Sequence, residues 1–129
     1  MARDLDAIIR DFMKAAVEAD ELSIVPGVSK RQHREFHREE ATVRELLAVW
    51  DHGGRAALLA HLNDPHPAVR SSAATFLLES DPELAMLTLT AVAEETRGVR
   101  GQTSTTAYMT LKEWKAGRMR PIERLLRAD

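Results

Sequence analysis

The first segment of the chain carries a regular helical pattern of apolar residues. Beyond Leu5 they recur three or four positions apart, at Ile8, Ile9, Phe12, Ala16 and Ala19. This spacing places side chains on one face of a helix. Because Pro26 and Gly27 follow shortly afterwards, we predict that the first helix ends near Leu22 and that residues 23–28 form an apolar loop.

A second helix is predicted from Ser29 towards Trp50, and its two halves differ. Ser29 and Gln32 have the spacing of a capping box, in which two side chains satisfy backbone donors of the first turn. The second half has apolar residues at core spacing, at Val43, Leu46, Leu47 and Trp50. The first half has only Phe36 among many charged residues. We therefore expect only the second half to pack fully, and the first half to project, pair with another chain or be solvated.

Glycine and capping residues divide the middle of the chain into shorter helices. The pair Gly53-Gly54 precedes a short apolar helix that ends at Asn63. Asp64 is predicted to cap the next helix, with Pro65 in its first turn. Apolar residues cover most of the circumference of that helix, at Val69, Ala73, Ala74, Phe76, Leu77 and Leu78. This pattern predicts a central helix, buried on more than one side.

The last third of the chain repeats the same signals. Asp81-Pro82 opens a helix whose apolar residues are Leu84, Leu87, Ala91 and Val92. Gly98 is the expected terminator of that helix. Helical spacing then resumes before Gly117, at Ala107, Tyr108, Leu111 and Trp114. Pro121 can open a short final helix.

The two helical pairs between residues 53 and 117 show a weak self-similarity. Leu59 and Leu62 map onto Leu89 and Val92 at an offset of 30, and Ala74 and Leu78 onto Ala107 and Leu111 at 33. Repeated helical pairs that bury each other's faces are typical of helical solenoids. We predict an all-α single domain of about six helices over 1–129, with two N-terminal helices (1–52), two helical hairpins (53–117) and a short C-terminal helix or tail (118–129).

The segment from Asp64 to Arg70, with the sequence DPHPAVR, resembles the turn and second-helix start of HEAT-type repeats. The resemblance implies that Asp64 caps the helix, that Val69 enters the core and that Arg70 contacts an aspartate of a neighbouring repeat. Val99-Arg100 keeps the Val-Arg pair in the following unit without a preceding Asp-Pro. A continuous ladder of such contacts is therefore not expected.

Four segments carry a wider resemblance: 53–59, 64–70, 80–85 and 109–114, followed by Gly117. From Ser29 to Gly117, about two thirds of the chain, the sequence resembles an uncharacterised bacterial family of small standalone HEAT-like domains of unknown function. The resemblance implies a short α-solenoid of antiparallel helical repeats and assigns no reaction. Small helical domains of this kind resemble single-purpose binding partners, including immunity proteins that neutralise bacterial toxins.

Composition excludes several classes of protein. The 129 residues, 44% hydrophobic and 29% charged, suffice for one core but not for two ordinary domains. The absence of cysteine excludes disulfides, thiolate nucleophiles and iron–sulfur clusters, and it fits a reducing compartment. Asp4 and Asp6 are unlike a secretory signal, and no segment approaches the roughly 18 apolar residues of a membrane span. We therefore expect a cytoplasmic protein with no membrane contact.

The sequence offers little support for catalysis or for a bound cofactor. His33, His37 and Glu40 share a helical stripe that could face one metal ion. A charge-rich helix gives the same spacing without a metal, and no fourth ligand is identifiable, so we interpret the stripe as a polar face. The adjacent Glu39 and Glu40 diverge on a helix and cannot form a paired acid and base. We expect no metal, no cofactor and no enzymatic activity.

Serine chemistry and phosphate binding also lack their usual motifs. Ser71 and Ser72 have no surrounding Gly-x-Ser-x-Gly motif, and we interpret them as serines on a helix surface. The sequence contains neither a phosphate-binding loop nor a dinucleotide fingerprint.

Charge is distributed unevenly although the net charge is only -2. Residues 1–25 hold six acids and three bases, whereas residues 112–129 hold six bases and three acids. A wall shared by the last-third bases would attract phosphate or an acidic protein; its members would be Arg97, Arg100, Lys112, Lys115 and Arg118. Nucleic-acid binding through this surface is the alternative function, although the acidic composition makes it the less favoured one.

The polar first half of the second helix is the best candidate surface. Phe36 lies among His33, Arg34, His37 and Arg38, a mixture of aromatic and arginine residues that is enriched at binding hot spots. The other interpretation is that Phe36 packs back on the first helix. The neighbouring loop 24–26 could extend the patch.

These observations favour a non-catalytic protein-binding module, most specifically an immunity-type protein that neutralises a toxin. The third alternative is a structural subunit whose partner covers the second helix. We favour a monomer. The candidate partner-binding residues are His33, Arg34, Phe36, His37, Arg38, Glu40, Arg97, Arg100, Lys112 and Lys115.

Overall fold

A computed structural model describes residues 3–23, 27, 29–99 and 101–127. The described residues form seven α-helices: α1 (Leu5–Leu22), α2 (Ser29–Ala48), α3 (Gly54–Ala60), α4 (Pro67–Leu77), α5 (Pro82–Glu95), α6 (Thr103–Lys115) and α7 (Pro121–Arg127). Short 3₁₀ turns follow α2 and α3, at Trp50–His52 and His61–Asn63. No strand occurs among these residues, so the all-α prediction is confirmed.

The first helix has the predicted bounds and the predicted buried face. Asp4 caps α1, because its carboxylate accepts a hydrogen bond from the backbone N–H of Asp6 at 3.1 Å. All five apolar residues of the predicted stripe beyond Leu5 are buried: Ile8, Ile9, Phe12, Ala16 and Ala19. The predicted apolar loop after this helix lies largely outside the described residues.

The second helix differs from its prediction in two ways. Ser29 is the first helical residue, and the Gln32 side chain donates to the Ala19 carbonyl (3.0 Å) and to the Gln102 side chain (3.2 Å) instead of closing a capping box. The first half of α2 also packs, because Glu35 and Glu39 are only 8% and 7% exposed. Acidic residues occupy core-facing positions here, which a search for apolar residues does not detect.

The fourth helix is central, as predicted, and contacts α1, α3, α5, α6 and α7. It begins at Pro67, later than expected, because the chain first makes a turn in which Asp64 accepts the His66 N–H at 2.8 Å. His66 is the capping residue, and its Nδ1 accepts the Ala68 N–H at 3.1 Å. Val69 is buried, as the HEAT resemblance implied.

One cluster of buried residues extends from α1 to α7. At its centre the Phe12 and Phe76 rings meet edge to face, with centroids 6.4 Å apart and planes inclined by 72°. On α5 the buried positions are Ala85, Leu89 and Val92, whereas Leu84 and Leu87 of the predicted stripe are exposed. Apolar residues cover more of the circumference of α5 than the face that packs against α4 and α6. The helical spacing alone therefore placed Leu84 and Leu87 in the buried face, which was wrong.

The C-terminal segment forms a docked helix. Pro121 and Leu125 of α7 are buried. The Glu79 carboxylate, just after α4, accepts the backbone N–H groups of Ile122 (2.8 Å) and Glu123 (3.1 Å) and so caps α7. This helix accounts for the seventh element where about six were predicted. None of the helices in the described ranges is both long and apolar enough to cross a membrane.

Candidate functional site

A small cavity of about 60 Å³ lies where α1, α2, α4 and the start of α6 meet. Its apolar walls are the methyl groups of Ala16, Ala19 and Ala68. Its polar lining includes Asp20, Glu39, Ser71, Ser72, Gln102, Thr103 and Thr106. A cavity of this size, with apolar and polar walls, has room for a few water-sized groups.

Glu39 is the buried acid of this cavity. It lies three residues after Phe36 and four before Val43, so helical periodicity directs it to the packed side of α2. The pKa of the Glu39 carboxyl is raised to about 7, chiefly by burial. A hydrogen bond from Ser72 acts in the opposite direction, and the charge of Glu40 adds to the rise. The carboxyl therefore keeps its proton at pH values where an exposed glutamate is ionised.

Polar side chains also tie the start of α6 to the N-terminal helices at this cavity. The Thr103 hydroxyl donates to the Asp20 carboxylate of α1, and Gln32 joins α2 to both Ala19 and Gln102. The Gln32–Gln102 and Asp20–Thr103 bonds connect residues that are 70 and 83 positions apart in sequence. Polar side chains thus hold α1, α2 and the start of α6 in place around the cavity.

Phe36 stands at the edge of the cavity, 42% exposed. The sequence left open whether Phe36 packs on the first helix or faces a partner; in the structure it shares the cavity lining with Ala16 and Ala19 of α1 and keeps an exposed part. His33 and His37, one turn apart on the same helix, are exposed next to it. We call Phe36, His33 and His37 the Phe36 edge of α2.

The arginines predicted to accompany Phe36 lie on the opposite edge of the exposed half of α2. Two residues along a helix correspond to a rotation of about 200°, so Phe36 and Arg38 point about 160° apart. Arg34 and Arg38 line a separate polar hollow of about 170 Å³ with Arg31 and Glu35. Arg38 lies 3.3 Å from the Glu35 carboxylate and 3.9 Å from that of Glu18. The predicted patch is therefore divided into two edges.

Glu40 and the histidine stripe do not assemble a metal site. The Glu40 carboxylate binds the Arg124 guanidinium of α7. His37 Nδ1 lies 3.8 Å from the same Glu40 carboxylate. Within the described ranges no three histidine, aspartate or glutamate side chains are placed to hold a metal ion. Glu40 thus contributes to the docking of α7.

The predicted basic wall is dispersed in its described members. Arg97 is exposed in the loop before α6, beside Glu94 at 3.8 Å, whereas Lys112 and Lys115 lie in the last turns of that helix. Nine residues of helix separate Thr103 from Lys112, a rise of about 14 Å. Arg100 lies outside the described residues.

Other C-terminal bases are paired with acids. Arg118 forms two hydrogen bonds with Glu113, at 2.7 and 3.1 Å, and these bonds hold the pKa of the Glu113 carboxyl below its usual range. Arg124 is paired with Glu40, as described above, and Arg127 lies 3.6 Å from the Glu123 carboxylate. These pairs reduce the positive potential that the nucleic-acid alternative needs.

The residues that the sequence interpretation missed are those lining the cavity. Ser71 was interpreted as a surface serine but is buried, and Ser72 bonds to Glu39. Glu39 could have been found, because it shares the helical stripe of Val43 and Leu46. Gln102 and Thr103 carry no comparable signal, since only tertiary packing brings them to this place.

Comparison of the chain with models of protein families, with characterised proteins and with solved structures finds no match.

Proposed function

We propose that this chain is a non-catalytic protein-binding module and that its partner contacts the Phe36 edge of α2. The observation that carries this proposal is the half-exposed Phe36 ring beside a cavity to which four helices contribute. Aromatic side chains next to a pocket are typical anchors of protein interfaces. A fully solvated α2 would gain nothing from an aromatic residue at this position.

The packing of consecutive helices supports the proposal, and we interpret this packing as HEAT-like. Consecutive helices pack on one another, and we group them as the pairs α1–α2, α3–α4 and α5–α6, although α4 packs on α5 more extensively than on α3. Arg70 forms a two-pronged ion pair with Glu95 of the next pair, at 2.7 and 2.9 Å, where the HEAT resemblance implied an aspartate. We interpret the three pairs as a short α-solenoid.

Neutralisation of a bacterial toxin is the narrower form of this proposal. It rests on the resemblance to small standalone HEAT-like domains and on the analogy with immunity proteins. Affinity capture from cells that express the chain at natural levels tests it, because an immunity protein should retain one toxin as its main partner. Capture of several unrelated proteins in similar amounts would contradict the narrower form.

Substitution of the aromatic anchor tests the proposed surface directly. We expect Phe36→Ala to weaken binding of the captured partner by at least about tenfold in calorimetric titration, because loss of a buried aromatic anchor commonly costs more than 1 kcal/mol. The matched control is Leu126→Ala on α7, which removes another exposed apolar side chain. Unchanged affinity of a folded Phe36→Ala variant would refute the Phe36 edge.

Arg34→Ala separates the two edges of α2. If the partner covers the Phe36 edge alone, this substitution leaves the affinity within about twofold, as is usual at the rim of an interface. A loss equal to that of Phe36→Ala would instead show that the partner spans both edges. Circular dichroism of each variant confirms that the helices are retained.

Nucleic-acid binding is the second proposal, and Lys112, Lys115 and Arg120 are the bases that support it. Arg120 stacks over the Trp114 ring at 4.6 Å, which gives this surface an aromatic and cationic platform. Binding to duplex DNA that weakens steeply with salt, and that Lys112→Ala/Lys115→Ala removes, would favour this function. Absence of binding at low salt would exclude it.

A further inference from the structure

The cavity beside Phe36 is lined by acidic but not by basic side chains. Two carboxyl groups, those of Asp20 and Glu39, face it together with hydroxyl groups of α4 and α6. None of its lining residues is a lysine, an arginine or a histidine. Buried carboxyl groups are normally paired with a cation or hydrogen-bonded on every side. The cavity therefore offers carboxyl and hydroxyl oxygens as hydrogen-bond acceptors without a cation of its own.

We propose that this cavity binds a primary ammonium group, and that in the complex it receives the tip of a lysine side chain of the partner. The assignment of the ammonium to a partner rests on the proposed function, whereas the affinity of the cavity for ammonium does not. A lysine stem is apolar and its terminal nitrogen carries three donors. The alanine methyls suit the stem, and Glu39, Asp20 and Ser72 suit the donors.

Size distinguishes the primary ammonium from larger cations. A cavity of about 60 Å³ holds a few water-sized groups, which matches an ammonium with one or two carbon atoms. A guanidinium is planar, presents five donors in a rigid fork, and is bulkier than an ammonium, so it fits a cavity of about 60 Å³ less well. We therefore expect methylammonium to bind more tightly than guanidinium.

Binding of a cation must be coupled to the release of a proton from Glu39. The acid that acts on this carboxyl is Glu40 from α2 itself. The other charged residue of the cavity lining is Asp20 from α1, which is also acidic. The cavity residues of α4 and of the α6 region are alanine, serine, threonine and glutamine, which carry no charge. The ammonium is thus the first positive charge that the cavity receives, and it favours the ionised form of Glu39.

Nuclear magnetic resonance of the free protein, with labelled glutamate carboxyl carbons, tests this inference with methylammonium chloride as the probe. We expect saturable shifts at Glu39 and Ser72 and a lowering of the Glu39 pKa by the probe. At pH values below the Glu39 pKa, the apparent affinity for methylammonium should rise about tenfold for each unit of pH increase, because binding releases one proton. Methanol, the neutral analogue, and potassium chloride at equal ionic strength should leave these signals unshifted.

Two variants locate the site. Glu39→Gln keeps the size of the side chain and should reduce methylammonium affinity at least about tenfold, since it removes the ionised partner. Glu21→Gln, an exposed acid at the end of α1, should not change it. Equal shifts with methanol or potassium, an unmoved Glu39 pKa, or unchanged binding to Glu39→Gln would each overturn the inference. The titration requires no partner protein, so its outcome is independent of the Phe36→Ala test.

Discussion

At the scale of single residues, Glu39 makes the protein less stable as the pH rises. Its pKa is 4.5 in an exposed setting and about 7 in the folded chain. Between these values the folded state keeps a proton that the unfolded state has lost, so the free energy of unfolding falls by up to about 1.4 kcal/mol per pH unit. Below about pH 4.5 both states are protonated and the full stability is present; above about pH 7 the loss is complete.

Glu39→Gln should remove this dependence, because an amide does not titrate. Urea unfolding between about pH 5 and about pH 8 measures this pH dependence. Over that range the free energy of unfolding of the wild type should fall, relative to that of the variant, by roughly 3 kcal/mol at most. Carboxyls whose pKa is lowered by arginine, such as those of Asp81 and Glu95, lose their contribution only at more acidic pH. Parallel curves for wild type and Glu39→Gln over this range would contradict the prediction.

Residue identity predicts burial only where the residue is apolar. The predicted burial of the α1 stripe is confirmed because every residue of the stripe is apolar and points to one core. Glu39 occupies an equivalent position on α2, but a carboxyl group is buried only when other helices provide its surroundings, here Ser72 of α4. That information is tertiary, so the sequence placed Phe36 on a candidate surface and missed the cavity behind it.

At the scale of elements, α7 is held by a cap that comes from another part of the chain. Glu79→Ala leaves the N–H groups of Ile122 and Glu123 without their acceptor. We expect the free energy of unfolding to fall by about 1 kcal/mol, the usual effect of losing a helix cap. Amide exchange should accelerate most at those two residues, because they lose their hydrogen bonds.

The control for this prediction is Glu83→Ala, which removes an exposed acid from the first turn of α5. Surface substitutions of this kind change the free energy of unfolding by less than about 0.5 kcal/mol. Equal effects of Glu79→Ala and Glu83→Ala would mean that the cap contributes nothing to the docking of α7.

The junction of α2 and α3 depends on Gly54. A Cβ atom at this position would lie 2.2 Å from the Leu46 carbonyl oxygen and 3.2 Å from that of Val49. Both atoms belong to the backbone, so we expect Gly54→Ala to cost about 2 kcal/mol or more in a urea titration. Gly98→Ala is the comparison, since it meets no atom within 4 Å and carries only the strain of a φ of +81°. A smaller cost for Gly54→Ala than for Gly98→Ala would refute the close approach.

Helix starts were easier to predict from the sequence than helix faces. Pro82 and Pro121 mark the first residues of α5 and α7, because proline fits the first helical position. The start of α4 was misplaced by two residues, since Pro65 and Pro67 carry the same signal and only the intervening turn selects the second. The exposed Leu84 and Leu87 show the limit for faces, because the partners of α5 are set by the whole fold.

At the scale of the whole molecule, the charge asymmetry of the sequence is offset by ion pairs. Arg3 binds the carboxylates of Asp11 and Glu45, and Arg124 of the basic C-terminal segment binds Glu40 of α2. Counting charges along the sequence gave the sign of each segment correctly. It could not reveal these pairs, whose members are as far apart as 84 residues. The remaining potential is therefore local, at the edges of α2, at the cavity and at the surface of Lys112, Lys115 and Arg120.

The contiguous core predicts that the chain unfolds as one unit. Phe12 of α1 is buried against Phe76 of α4. Helix α4 in turn contacts α5, α6 and α7. Phe12→Leu should lower the free energy of unfolding by about 1 to 2 kcal/mol. In a Trp50→Phe background the remaining tryptophan, Trp114 of α6, reports on the distant end of the chain.

If the seven helices form one cooperative unit, Trp114 fluorescence and far-ultraviolet circular dichroism have the same urea midpoint, and Phe12→Leu shifts both equally. Leu87→Ala, on the exposed side of α5, is the control and should move neither midpoint appreciably. A Trp114 transition that Phe12→Leu leaves in place would mean that α5 and α6 unfold separately from the N-terminal helices. The cavity would then lie at a boundary between two units, because it takes its lining from α1 and α2 on one side and from the start of α6 on the other.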